Sequence, residues 1–156
     1  MAFQENILLV SGVLAGRHSI DVQDLGAMMA QFFGVVAAVC GALGVGAGAF
    51  GAHVLKGELT PELLAVWKTG ANYHLIHALA LALVALEIRS GGDPVLGSSR
   101  FAGYAFVVGI VLFSGSLYVM TVTGVRWIGA ITPLGGLAFI AGWCALGVSF
   151  MRSHSG

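Results

Sequence analysis

Four stretches without a charged side chain, at 25–52, 69–86, 101–125 and 127–151, decide what this chain can become. A helix crossing the hydrocarbon core of a bilayer needs about 20 mostly apolar residues, and each stretch is near or above that length. With 58% hydrophobic and only 9% charged residues, the chain lies far from the roughly 25% charged content of soluble domains. The expected class is therefore an all-α integral membrane protein. Its architecture reads as a four-transmembrane-helix up-down bundle with a short N-terminal extension: an arm over 1–24, then one domain over 25–152 with helices at about 26–52, 61–88, 101–123 and 127–151. One connection is of moderate length and the others are short, so consecutive helices are expected to be antiparallel neighbours.

Seven Lys plus Arg balance seven Asp plus Glu. No basic face is available to release counterions from a nucleic acid backbone, so nucleic acid is excluded as a partner. The lipid bilayer is the expected surrounding, with other membrane protein subunits as the expected partners. Cys40 and Cys144 fit no metal-ligand spacing and differ in expected depth, so both read as small, inert core residues. The arm has a short apolar segment, 7–15, followed by the polar residues Arg17, His18, Asp21 and Asp24. It lacks the cationic start of a cleaved signal peptide and reads as an interfacial or partner-held extension.

The first membrane helix carries small residues seven apart, with Gly34, Gly41 and Gly48 on one line and Ala37, Gly44 and Gly51 on the next. Helix association in lipid depends on close backbone approach, which glycine permits. Gly41, Gly44, Gly48 and Gly51 are therefore expected to be packing positions, within the chain rather than at a homodimer face. Thr60 and Pro61 form the start of the second helix, a hydroxyl N-cap followed by proline where its missing N–H costs nothing. Trp67 is expected as an interfacial anchor, and Pro133 as a tolerated bend near the start of the fourth helix.

With alternating helix directions, one side of the membrane collects His53, Asn72, Tyr73, His74, His77, Ser114, Ser116, Tyr118, Thr121, Thr123 and Thr132. The other side holds little beyond Gln31, Tyr104 and Ser149, with Glu87 and Asp93 at its interface. Polar side chains at membrane depth are expensive and face a bundle interior or a wet cavity. Tyr73, His74 and His77 share a helix face by their spacing. His53, His74 and His77 are candidate metal ligands, since neutral imidazoles suit zinc, copper or iron, and haem or quinone would suit the same place. The alternative is that these are core or cap histidines bonded to serine, tyrosine or backbone. Tyr73, Ser114, Ser116, Tyr118 and Thr132 complete the polar cluster. No nucleophile triad, carboxylate pair or phosphate loop can be assembled.

The segments GAFGAHVLK (48–56), WKTGANYHLIHALAL (67–81), LFSGSLY (112–118) and TGVRWIGAITPLGGLAFIAGW (123–143) resemble the signature blocks of domain-of-unknown-function family 423. That family includes small bacterial inner-membrane proteins and the eukaryotic proteins called transmembrane protein 256. The resemblance spans about 29–151 and implies a compact four-helix membrane protein with no established activity. The arm is longer than the family pattern, and His74 departs from it, which leaves His53 and His77 as the better pair.

The expected function is a non-catalytic accessory or stabilising subunit of a larger membrane complex, not an enzyme. The alternative is a membrane-embedded histidine site that binds a metal, haem or quinone, or passes protons or a small solute. A homo-oligomeric pore is disfavoured because the polar residues give no continuous path. Cationic residues number four against three across the two sides (Arg17, Arg89, Arg100 and Arg152 against Lys56, Lys68 and Arg126). That bias places both termini in the cytoplasm, in a bacterial inner membrane since no Arg-rich presequence is present.

Overall fold

The computed structural model describes the backbone of residues 2–91 and 97–153, and the side chains of residues 23–91 and 97–152. Among the described residues there are four helices long and apolar enough to cross a membrane. The first, α1, runs over Ala2–Phe50 without interruption at the polar residues of the arm. It continues through a π-helical turn, Gly51–Leu55, and one further turn, Lys56–Glu58.

Helix α2 covers Pro61–Arg89, and Thr60 caps it by accepting from the Leu63 N–H at 3.4 Å. Helix α3 is one rod over Ser98–Thr123, with a π-helical turn at Ile110–Ser114 between two α-helical parts. Gly124, at φ 71°, ends it; this left-handed conformation would strain any side chain with a Cβ.

The fourth segment begins later as an α-helix than the sequence suggests. Residues Arg126–Ile131 form a 3-10 turn, and α4 occupies Thr132–Ser153. Proline cannot donate inside a helix, so Pro133 belongs to the first turn, where no N–H is needed.

Glycines facing aromatic rings set the helix spacing. The Phe33 ring of α1 lies over Gly103 of α3, Phe106 of α3 lies over Gly142 of α4, and Phe139 of α4 lies over Gly109. At Gly135 the approach is to backbone itself, since an added Cβ would stand 2.3 Å from the Phe113 nitrogen. Phe33, Leu81, Val84, Phe106 and Leu146 are fully buried at the centre. Dispersion between such close surfaces is what holds helices together in lipid.

Helix α1 packs chiefly on α2. Gly44 meets Leu75 and Gly51 meets the Trp67 indole, whereas Gly41, Gly46 and Gly48 have nothing within 4 Å of where a Cβ would be. Leu43, Val45, Leu79, Val111 and Leu137 point outward as an apolar exterior. Cys40 is half-buried beside the core, but Cys144 is exposed, which corrects its reading as a core residue: it lies on the lipid side of α4.

Candidate functional site

The polar side of the bundle is built on α2, which places Trp67, Gly70, His74 and His77 inward along successive turns. Trp67 is buried, not an interfacial anchor. Gly51 leaves room for its indole, which donates to the Ala47 carbonyl of α1 at 2.8 Å and packs against the Tyr118 ring, tilted by 44°, with centroids 4.5 Å apart. A tryptophan with its N–H satisfied inside the protein has no need of the headgroup zone.

His77 is a fully engaged core histidine. Its Nδ1–H donates to the Tyr73 carbonyl at 2.7 Å, and its Nε2 accepts from the Trp143 indole N–H at 3.2 Å. These partners fix the neutral Nδ1–H tautomer, since a carbonyl only accepts and an indole only donates. The ring also lies flat on Phe139, with centroids 3.4 Å apart and planes 8° from parallel. No lone pair remains for a metal or haem iron.

His74 differs. Its Nδ1 lies 3.4 Å from the Tyr118 hydroxyl, a long contact, and its Nε2 is buried without a partner. The Ser114 hydroxyl, the last residue of the π-helical turn in α3, is likewise buried and unpartnered. Ser114 stands one helical turn before Tyr118, so α3 presents both toward the same stretch of α2. His53 sits exposed on the π turn after α1.

His53, His74 and His77 are therefore not brought together, and among the described residues no group of three His, Cys, Asp or Glu is placed to hold a metal ion. The donor set does not fit a resident metal centre: one imidazole is locked, one is outside, and the third is accompanied only by tyrosine and serine.

The remaining members of the cluster are structural ties. Ser116 donates to the Phe113 carbonyl at 2.9 Å and meets Thr132 Oγ1 at 2.7 Å, joining α3 to α4. Thr121 donates to the Leu117 carbonyl of its own helix at 2.7 Å. Tyr73 is 42% exposed and stacks on Phe113, so its ring lies on the rim.

A second polar cluster, which the sequence does not join, stands at the opposite end. Glu87 is buried, and its Oε1 accepts from Ser149 Oγ at 3.0 Å, while Ser149 Oγ lies 2.5 Å from Ser99 Oγ. Three helix ends are thereby tied together. The available signal was spacing: Glu87 is seven residues after the buried Ala80 and shares its helix face. Between the two polar clusters Leu81, Val84, Phe106 and Leu146 are each no more than 1% exposed, and this apolar plug interrupts any polar route along the bundle.

A family described as "protein of unknown function (DUF423)" matches residues 47–136. The chain is similar to the UPF0382 membrane protein YwdK of Bacillus subtilis, 47% identical over 78% of this chain and 98% of the relative. It is also similar to the UPF0382 membrane protein SH2409 of Staphylococcus haemolyticus, 42% identical over 78% of this chain and 97% of the relative. A third, SERP0230 of Staphylococcus epidermidis, is 39% identical over 78% and 97% respectively. No solved structure matches the chain.

Proposed function

The chain belongs to the DUF423 family of membrane proteins of unknown function, and from that premise we propose that it is a non-catalytic accessory or stabilising subunit of a larger membrane complex. The observation that carries this reading is an open line on the flank of α1. Gly41 and Gly48, seven residues apart on one side of the helix and half-exposed, have nothing among the described residues within 4 Å of where a Cβ would stand, although glycine costs helix stability and gains nothing against lipid. A second transmembrane helix seated there would use them. His77, with both ring nitrogens engaged by Tyr73 and Trp143, serves packing between helices in this reading.

Purification from native membranes in several mild detergents tests the reading. Co-migrating subunits that depend on the α1 face are expected, and free protein in every detergent overturns it. We place the chain in the bacterial inner membrane with both termini cytoplasmic, on the four-to-three cationic bias, and cysteine labelling from each side of intact cells checks that orientation.

The second reading, a histidine site, is favoured by one observation: His74 Nε2 and Ser114 Oγ are both buried without partners. Unsatisfied polar atoms are costly inside a membrane protein. Here the site narrows to His74, Ser114 and Tyr118, and to a proton or a small hydrogen-bonding solute. Solvent-isotope exchange at the His74 ring, followed by NMR, tests it; a ring proton silent to exchange and to Ser114→Ala removes it.

A further inference from the structure

On the terminal side of the bundle, small side chains along the seam of α1 and α2 leave a half-open groove of about 810 Å³. Its walls are small side chains, including Ala27, Gly34 and Ala38 of α1 and Ala82 and Ala85 of α2; its polar members are Gln31 and Arg89. Gly34 and Ala85 form the floor, where an added Cβ would lie 3.8 Å from the Ala85 Cβ. Arg89 ends α2 at the membrane surface, and Ala82 lies seven residues deeper, about 10 Å along the helix axis. On α1 the groove extends from Ala27 to Ala38, about 16 Å.

We propose that this groove is a binding site for an anionic phospholipid, with the phosphate on Arg89 and Gln31 at the mouth and one acyl chain lying along the alanine walls. Among the described residues that line the groove there is no carboxylate, and Arg89 is the one cation. A guanidinium pairs with phosphate through two parallel hydrogen bonds, and basic pockets between transmembrane helices at the headgroup level select anionic lipids. A partner helix would have to bring its own acid to that depth, whereas lipid phosphate is already there. The apolar walls, recessed where alanine and glycine stand in place of larger side chains, accept a flexible chain.

The test uses the full-length purified protein in detergent, titrated with phosphatidylglycerol or phosphatidylcholine and read by native mass spectrometry. Wild type is expected to retain phosphatidylglycerol preferentially. Arg89→Gln should weaken that retention about fivefold, the effect of one basic residue at a membrane surface, and leave phosphatidylcholine unchanged. Ala38→Leu, at an exposed wall position, should weaken both lipids by filling the inner end, with circular dichroism confirming the helices. Equal retention of the two lipids by wild type, or phosphatidylglycerol binding indifferent to Arg89→Gln, overturns the proposal. A co-migrating polypeptide lost in both variants also overturns it, by assigning the groove to another subunit. Because the titration needs no partner, its outcome is independent of the accessory-subunit reading.

Discussion

Trp143 on α4 donates its indole N–H to Nε2 of His77 on α2 across 3.2 Å, and this bond removes His77 from the list of available ligands. Trp143→Phe keeps most of the ring contact with Phe106 but leaves a buried imidazole nitrogen unpaired. The expected loss is about 1–3 kcal/mol, seen as a lower unfolding midpoint in detergent. Metal content by elemental analysis should be the same for wild type and variant. Metal that disappears with the substitution would restore a ligand role to His77.

Gly135 and Gly41 separate a glycine that packs from one that does not. Gly135→Ala drives a methyl group into the Phe113 backbone, which cannot rotate away, and should cost about 1–3 kcal/mol by overpacking. Gly41→Ala meets nothing within 4 Å and should leave the isolated protein as stable as wild type or slightly more, because alanine is the better helix former. Thermal unfolding of the two variants side by side checks the contrast.

The fold was legible because its signals are of the kind that sequence carries directly: uncharged length for the helices, and Thr60 with Pro61 for the start of α2. The site was less so. His77 looks like a ligand in the string His-x-x-His, and only the arrival of Trp143, from 66 residues away, shows that its nitrogens are occupied. Trp67 reads as an anchor until Gly51 is seen to leave space for it. Glu87 was hidden by its nearness to Arg89 at a helix end, where charge usually means exposure; its burial depends on Ser99 and Ser149 arriving from two other helices. Side-chain fate in this bundle is decided between helices, and periodicity along one helix does not contain it.

Trp67 supplies a direct check on that correction. It is 7% exposed, against 70% for Trp127 and 44% for Trp143. In liposomes carrying a quencher on the acyl chain or headgroup, single-tryptophan proteins retaining Trp127 or Trp143 should be quenched strongly. The protein retaining only Trp67 should resist. Equal quenching of all three would return Trp67 to the lipid surface.

Ser149 is the middle member of the Glu87, Ser149 and Ser99 tie. Ser149→Ala removes the hydroxyl that both bonds share. The expected cost is about 1–3 kcal/mol, that of removing one partner of a buried hydrogen bond. Ser99→Ala breaks only the outer bond and should cost less. Unfolding midpoints of the two variants, with the double variant to measure their coupling, decide whether the hydroxyls act as one unit.

The Gly41–Gly48 line of α1 carries the functional proposal, so its glycines make the last test. In Gly41→Leu and Gly48→Leu the added Cβ meets nothing within 4 Å among the described residues, at positions that are half-exposed; the purified protein should therefore keep its helices by circular dichroism. If a partner helix lies on that face, the same leucines hold the backbones apart and abolish the close approach on which association in lipid depends. Native gels of solubilised membranes should then show the larger species replaced by free protein in both variants. Val111→Leu, on the exposed surface of α3, should leave it intact. A larger species that survives both glycine substitutions would detach the complex from α1, whatever its composition.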